Sequence, residues 1–305
     1  MKSILNREYD EGRQLILNEQ ANLVQEMVSF GISLFGWYNE SLPGNRYSDA
    51  PIMFLIRQML ETLDGTSILI RQSSIEPAKP VLRSLIENYL AIKYICETNS
   101  ENRALAYLIV AVHDKIKIYD RLDPETSAGQ KYYSAISDDV LFSETTPPAV
   151  DFKAARKNLQ KMLQRSEFEA VEAEYQRKAK TRTSPSWYSL FSDPSISNIE
   201  QLAQHLNLGV LYQVHYRVLS GEAHAIDSLS HARGRSENDV SCDDLRYPGY
   251  LQGLMTVCYA IALDTFEKLI NIYVPDRMDC FTNWKAELHG KFESIRTGFD
   301  FKFQH

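Results

Sequence analysis

Residues 212–231 read YQVHYRVLSGEAHAIDSLSH. The segment contains no proline and spaces its apolar residues at three and four, so it predicts a helix from about Leu206 to His231. On a helix advancing ~100° per residue, Arg217, Ser220, Gly221, His224, Asp227, Ser228 and His231 share roughly 120° of arc. Leu219, Ala223, Ile226 and Leu229 cover much of the rest. A solvated face would be filled with Lys, Glu and Gln. This one instead carries two imidazoles, a guanidinium, a carboxylate and three small residues that let another surface approach. Arg217 and His224 are two turns apart and point the same way.

The segments on either side repeat the helical period. Glu11 to Glu40 and Pro51 to Gln72 read as long helices, the second with proline in its first turn. Ser73 to Lys79 reads as a break, and Pro80 as the start of a third helix, VLRSLIENYLAIKYICE. Further helices are expected from Glu101 to Arg121, from Tyr250 to Tyr273 and around Trp284 to Arg296. Runs of Val, Ile and Thr with two-residue alternation are missing, so a sheet is not expected. The fold class that follows is all-α.

Between Asp123 and Asn198 the composition changes. Pro147-Pro148, Ser184-Pro185 and Asp193-Pro194 interrupt it, with an acidic first half and a basic second half. Nine Lys/Arg stand between Lys153 and Arg182 against four Glu; a charge run of this kind reads as a solvated helix face. Residues 123–198 are read as an insertion in one helical domain spanning 1–305, and 276–305 as a C-terminal extension.

Composition bounds the function. Hydrophobic content is 44%, charged content 24% and aromatic content 11%, as in globular proteins and unlike disordered ones. A formal net charge of −7 argues against coating nucleic acid with the whole surface, though a local basic groove stays open. Cys96, Cys242, Cys258 and Cys280 are widely spread, without zinc spacing, and read as reduced thiols. The first residues lack the apolar core of a signal peptide, and the apolar run from Pro51 to Ile70 is broken by Arg57, Glu61 and Asp64. A cytoplasmic protein with no membrane span is expected. P-loop, dinucleotide-binding, G-x-S-x-G and H-E-x-x-H motifs do not occur. Neither a metal nor a cofactor is expected.

The stripe suits phosphate chemistry. Histidine is the side chain that titrates nearest neutrality, and His224 could act as general acid or base on a ribose 2′-hydroxyl or the leaving oxygen. Arg217 could stabilise charge building on the phosphate. The bland alternative is a buried Arg and His bonded inside a helical core. Arg83 and Glu87, at i and i+4, are either a surface pair worth a few tenths of a kcal/mol or a support that orients Arg217 or His224. His231, Arg233 and Arg235 are better read as the end of the helix at Gly234. His215 faces away from His224 and reads as a packing or surface residue.

Two pieces together resemble a bacterial all-helical family related to the HEPN ribonuclease superfamily. One is VLRSLIENYLAIKYI, matching an R-x-x-x-E helix. The other runs from Trp187 through IEQLAQHLNLGVLYQVHYRVLSGEAHA, with Ile199, Leu202, Ala203, Tyr212, Tyr216, Ser220 and His224 on the pattern. The resemblance covers about 51–122 and 187–273. It implies a HEPN-like bundle that dimerises so that two Arg-to-His helices build one RNA-cleaving cleft. It also implies a setting in phage defence or toxin–antitoxin systems. Arg217 and His224 are separated by six residues, the longest spacing in that superfamily, and Val218 stands where active members usually carry Asn, Asp or His.

The expectation is a metal-independent endoribonuclease with Arg217 and His224 catalytic and Ser220, Glu87, Arg83, Asp227 and Tyr216 supporting. RNA is the expected partner, beside a homodimer packed through Ser220, Gly221 and Ser228. The rival is a non-catalytic dimerisation module that binds a nucleotide or a partner protein encoded nearby.

Overall fold

A computed structural model describes residues 7, 11–42, 44, 46–146, 150–181, 184–191, 196–222, 232–236 and 239–298. The chain is all-α: α1 Glu11–Ser41, α2 Ala50–Arg71, α3 Ile75–Ile95, α4 Ser100–Leu122, α5 Ser127–Ser137, α6 Phe152–Leu163 and α7 Glu169–Ala179 come first. They are followed by α8 Ile199–His205, the short α9 Gly209–Leu211, α10 Arg217–Glu222, α11 Leu251–Tyr273 and α12 Met278–Gly298. The expectation of no sheet needs one amendment. Ala232–Ser236 and Asp239–Cys242 pair as an antiparallel hairpin, β1 and β2, with a bulge between Gly234 and Ser236. Among the described residues no helix is long and apolar enough to cross a membrane.

The chain divides into two compact units, one built from residues 1–98 and 202–305, the other from 99–201. The compositional break at Asp123 therefore falls inside the second unit. The reason is that α4, which precedes the break, is the surface on which α5, α6 and α7 pack. Residues 276–298 likewise belong to the first unit, where α12 packs on α1 and α11.

In the first unit α1, α2, α3 and α11 enclose the core. Side-chain pairings give the directions. Gln14 donates to the Arg71 carbonyl at 3.2 Å and Tyr38 to the Asp49 carbonyl at 3.0 Å, so α2 runs against α1. Tyr89 and Lys93 reach Asp264 at 3.0 and 2.9 Å, while Lys79 lies over the Tyr250 ring; α11 thus runs parallel to α3. Leu85, Ile86, Leu90 and Ile92 of α3 are fully buried. Each such side chain is worth ~1.5–3 kcal/mol of burial, far more than helix propensity supplies. Gly31 is where α1 approaches most closely. A Cβ there would stand 2.2 Å from Leu60 and 2.9 Å from Phe266. Phe30 stacks on Trp284 with centroids 4.0 Å apart, which seats α12.

Pro80 does not begin α3. The helix starts at Ile75 and runs through it. Pro77 sits where the N–H has no intrahelical partner, and Pro80 costs one bond, to the Glu76 carbonyl in the first turn. The break is confined to Gln72–Ser74 and closed by Ser73 at φ 53°, whose hydroxyl donates to the Arg246 carbonyl at 2.7 Å.

Within the second unit, polar links join α6 and α7 to α4 and its C-terminal end. Arg156 spans Asp120 at 2.9 Å and Asp123 at 2.7 Å. His113 lies 2.8 Å from Glu172 and stacks on Tyr175 at 3.9 Å. Arg177 pairs with Glu174 at 2.7 Å. Part of the basic stretch 153–182 is thus committed to carboxylates of its own unit: Arg177 on a solvated face, as expected, and Arg156 largely buried.

Candidate functional site

The helix expected from Leu206 to His231 is interrupted. Asn207 takes φ 59°, separating α8 from the next segment. From Gly209 to Glu222 the backbone is continuously helical, but Tyr212–Tyr216 form a π turn. Residues 223–231 lie outside the described residues, and with them His224, Asp227, Ser228 and His231. The side chains of Ser220 and Gly221 are outside them as well. From Ala232 the chain is strand, so Arg233 and Arg235 belong to β1 rather than to a helix end.

The π turn places one residue more in the turn than an α-helix would. Tyr212 and Tyr216 stack with centroids 5.1 Å apart and an interplanar angle of 21°. Tyr216 is 5% exposed, and its hydroxyl donates to Glu87 Oε1 at 2.6 Å. Arg83 Nη2 donates to the same hydroxyl at 2.9 Å, and Arg83 Nε lies 3.3 Å from Glu87 Oε1. The guanidinium carbon also stands 4.7 Å from the Tyr216 ring centroid. Burial, then the bond to Glu87, pushes the Tyr216 pKa up to about 12, so the hydroxyl stays a donor at neutral pH. Burial works against the Arg83 charge, but Tyr216 and Glu87 outweigh it and its pKa rises.

Three of the expected supporting residues, Arg83, Glu87 and Tyr216, are therefore brought together. Of the two groups that Glu87 was expected to orient, Arg217 is among the described residues and His224 is not. The carboxylate of Glu87 orients neither Arg217 nor, among the described residues, any histidine; it holds Tyr216. Arg217 is exposed, and its Nη1 donates to Gln213 Oε1 at 2.9 Å, one turn back. Val218 is exposed too, while Leu219 is fully buried, which fits a helix with one face on α3 and the other outward.

A second cluster lies beside the first. His215, read from the sequence as a packing or surface residue, is half-buried with Nδ1 2.8 Å from the Tyr250 hydroxyl. Lys79 Nζ lies 5.5 Å from the Tyr250 centroid and 2.5 Å from Glu76. The sequence reading passed over Lys79 and Tyr250. Lys79 stands four residues before Arg83 on one face of α3, a spacing visible in the sequence; that Tyr250 faces it is not. Burial lowers the His215 pKa. A histidine harder to protonate when folded loses stability as pH falls through its unfolded pKa of about 6.5, because the unfolded chain then binds the extra proton. The melting temperature is expected to fall between pH 7 and 5, and to fall less in His215→Gln. Equal pH profiles for the two proteins would show that His215 is not the group responsible.

Among the described residues no three of His, Cys, Asp and Glu are grouped to share a metal ion. No curated protein and no solved structure matches the chain. Lys79, Arg83, Glu87, His215, Tyr216 and Arg217 fall within 49–240, and Tyr250 beyond it; residues 49–240 match the model described as "Family of unknown function (DUF5677)", more than half of the chain, and the protein belongs to that family.

Proposed function

We propose that the protein is a metal-independent endoribonuclease of HEPN type. Arg217 would be the cation that meets the scissile phosphate, and His224 the acid or base on the attacking or departing oxygen. The observation that carries this reading is the contrast between neighbours on one short helix. Tyr216 is buried and tied to Arg83 and Glu87, while Arg217 is exposed and bonds the Gln213 amide oxygen. A guanidinium on an anchored helix, with no carboxylate bonded to it among the described residues, is poised for a phosphate oxygen. Arg83, Glu87 and Tyr216 would position that helix, and RNA would be the partner. A cytoplasmic defence effector or toxin, working as a homodimer with the stripe residues Ser220, Gly221 and Ser228 near the contact, completes the proposal.

The test is incubation of the purified full chain with total RNA, with and without EDTA. Cleavage is expected in both, because neither proposed group uses a metal. Cleavage that stops in chelator and returns with Mg²⁺ would overturn the HEPN-type mechanism. The second reading, a dimerisation module that binds a nucleotide or partner protein, is favoured by the closed Arg83–Glu87–Tyr216 network, which has the character of a structural clamp. A wild type that cuts no RNA would leave that reading in place.

A further inference from the structure

The outward face of α1 and α2 has the wrong surface for solvent. Ile32, Phe54 and Ile68 are 60%, 55% and 55% exposed. On α1, Asn18, Gln25, Ser29, Ile32 and Gly36 lie within about 60° of arc, and on α2, Phe54, Arg57, Glu61, Gly65 and Ile68 within about 80°. Neither helix contains a lysine, the residue most depleted from interface cores and usual on solvated helix faces.

The glycines supply an independent observation. Gly36 and Gly65 are interior to their helices with negative φ, and nothing lies within 4 Å of where a Cβ would stand. Glycine in a helix costs about 0.8–1 kcal/mol relative to alanine, and no neighbour among the described residues requires it. Gly31, by contrast, is explained by Leu60 and Phe266. Between the helices a cleft of about 550 Å³ is floored by Val28, Ile32, Phe35 and Leu60 and rimmed by Arg57, Glu61 and Asp64.

We propose that this face docks against the same face of a second copy across a two-fold axis. The rim charges select that occupant. Arg57, which bonds Glu61 of its own helix at 3.0 Å, precedes Asp64 by two turns, so an antiparallel α2 pair centred near Leu60 sets Arg57 of each copy opposite Asp64 of the other. Such self-complementarity is what an isologous contact requires. Size agrees as well: two helices side by side along the length of α2 offer about 33 Å by 20 Å, roughly 660 Å² per copy, close to the ~800 Å² per partner of a stable interface. Arg71, held by Asn22 at 2.9 Å and Gln25 at 3.0 Å, gives the face a fixed polar end that sets the register. The inference does not rest on the ribonuclease reading.

The test is the mass of the full chain in solution by light scattering at micromolar concentration. The double variant Ile32→Asp/Ile68→Asp is expected to halve the mass relative to wild type. Arg57→Glu should weaken association by about tenfold, and Arg57→Glu/Asp64→Arg should restore it. Gly65→Leu, at a site with open space in the monomer, should fold normally and still lose the larger species. A monomeric wild type overturns the proposal. So does a wild-type mass kept by Ile32→Asp/Ile68→Asp and by Gly65→Leu.

Discussion

Arg217→Ala is expected to slow RNA cleavage by about 10²–10³-fold, the scale of ~2.7–4 kcal/mol for removing one preorganised stabiliser of transition-state charge. The same change should leave stability within ~0.5 kcal/mol, because the side chain is exposed and its recorded bond is to an amide one turn away. His224→Ala is expected to abolish cleavage by removing the proton-transferring group. Rate and melting temperature measured on one preparation separate the two readings. An Arg217→Ala protein that cuts at the wild-type rate would remove Arg217 from the mechanism. A loss of activity that tracks a large fall in melting temperature would mark a structural residue instead. Arg217→Lys adds a finer check: it keeps the charge but not the two-pronged geometry, so partial activity is expected.

The largest effect on stability is expected at Tyr216. Truncation to alanine removes a buried ring and the hydroxyl shared by Arg83 and Glu87, and buried aromatic truncations cost about 3–5 kcal/mol. Tyr216→Phe keeps the ring and loses the hydroxyl. Its cost should be about 1 kcal/mol, near the low end for an unsatisfied partner, because Glu87 is half-exposed and water can replace the bond. The chain has two compact units, so unfolding is best followed in the first by Trp37 and Trp284 fluorescence in a Trp187→Phe background. A Tyr216→Ala protein within ~1 kcal/mol of wild type would refute the anchoring role. The comparison also bears on function: Tyr216→Phe should lower cleavage only as far as it loosens the helix that carries Arg217.

The local interactions in the sequence sufficed for the helices. Apolar residues at spacings of three and four in α1, α2, α3, α4 and α11 dictate those elements, and with them the all-α class, because burial of each stripe outweighs every local alternative. The pairing of Arg83 with Glu87 was equally legible, since both lie on one helix four residues apart. Where the local rule met a contrary residue, it gave the wrong boundary. Pro80 reads as a start yet lies inside α3, because the packing of Leu82, Leu85 and Ile86 exceeds the one backbone bond it removes. A helix over 206–231 takes no account of Asn207 in the left-handed region or of the π turn that carries Tyr216.

What only the tertiary structure decided is partnership. The sequence offered Arg217 or His224 as the group oriented by Glu87; among the described residues the carboxylate bonds Tyr216, 129 residues away. Nothing local encodes that distance; it follows from the shared surface of α3 and the π turn. The sequence also does not tell which apolar residues face outward. Ile32 and Leu34 look alike to a periodicity argument, yet one is 60% exposed and the other fully buried. A helix of this length has more than one apolar stripe, and only the positions of α2 and α11 determine which stripe is covered.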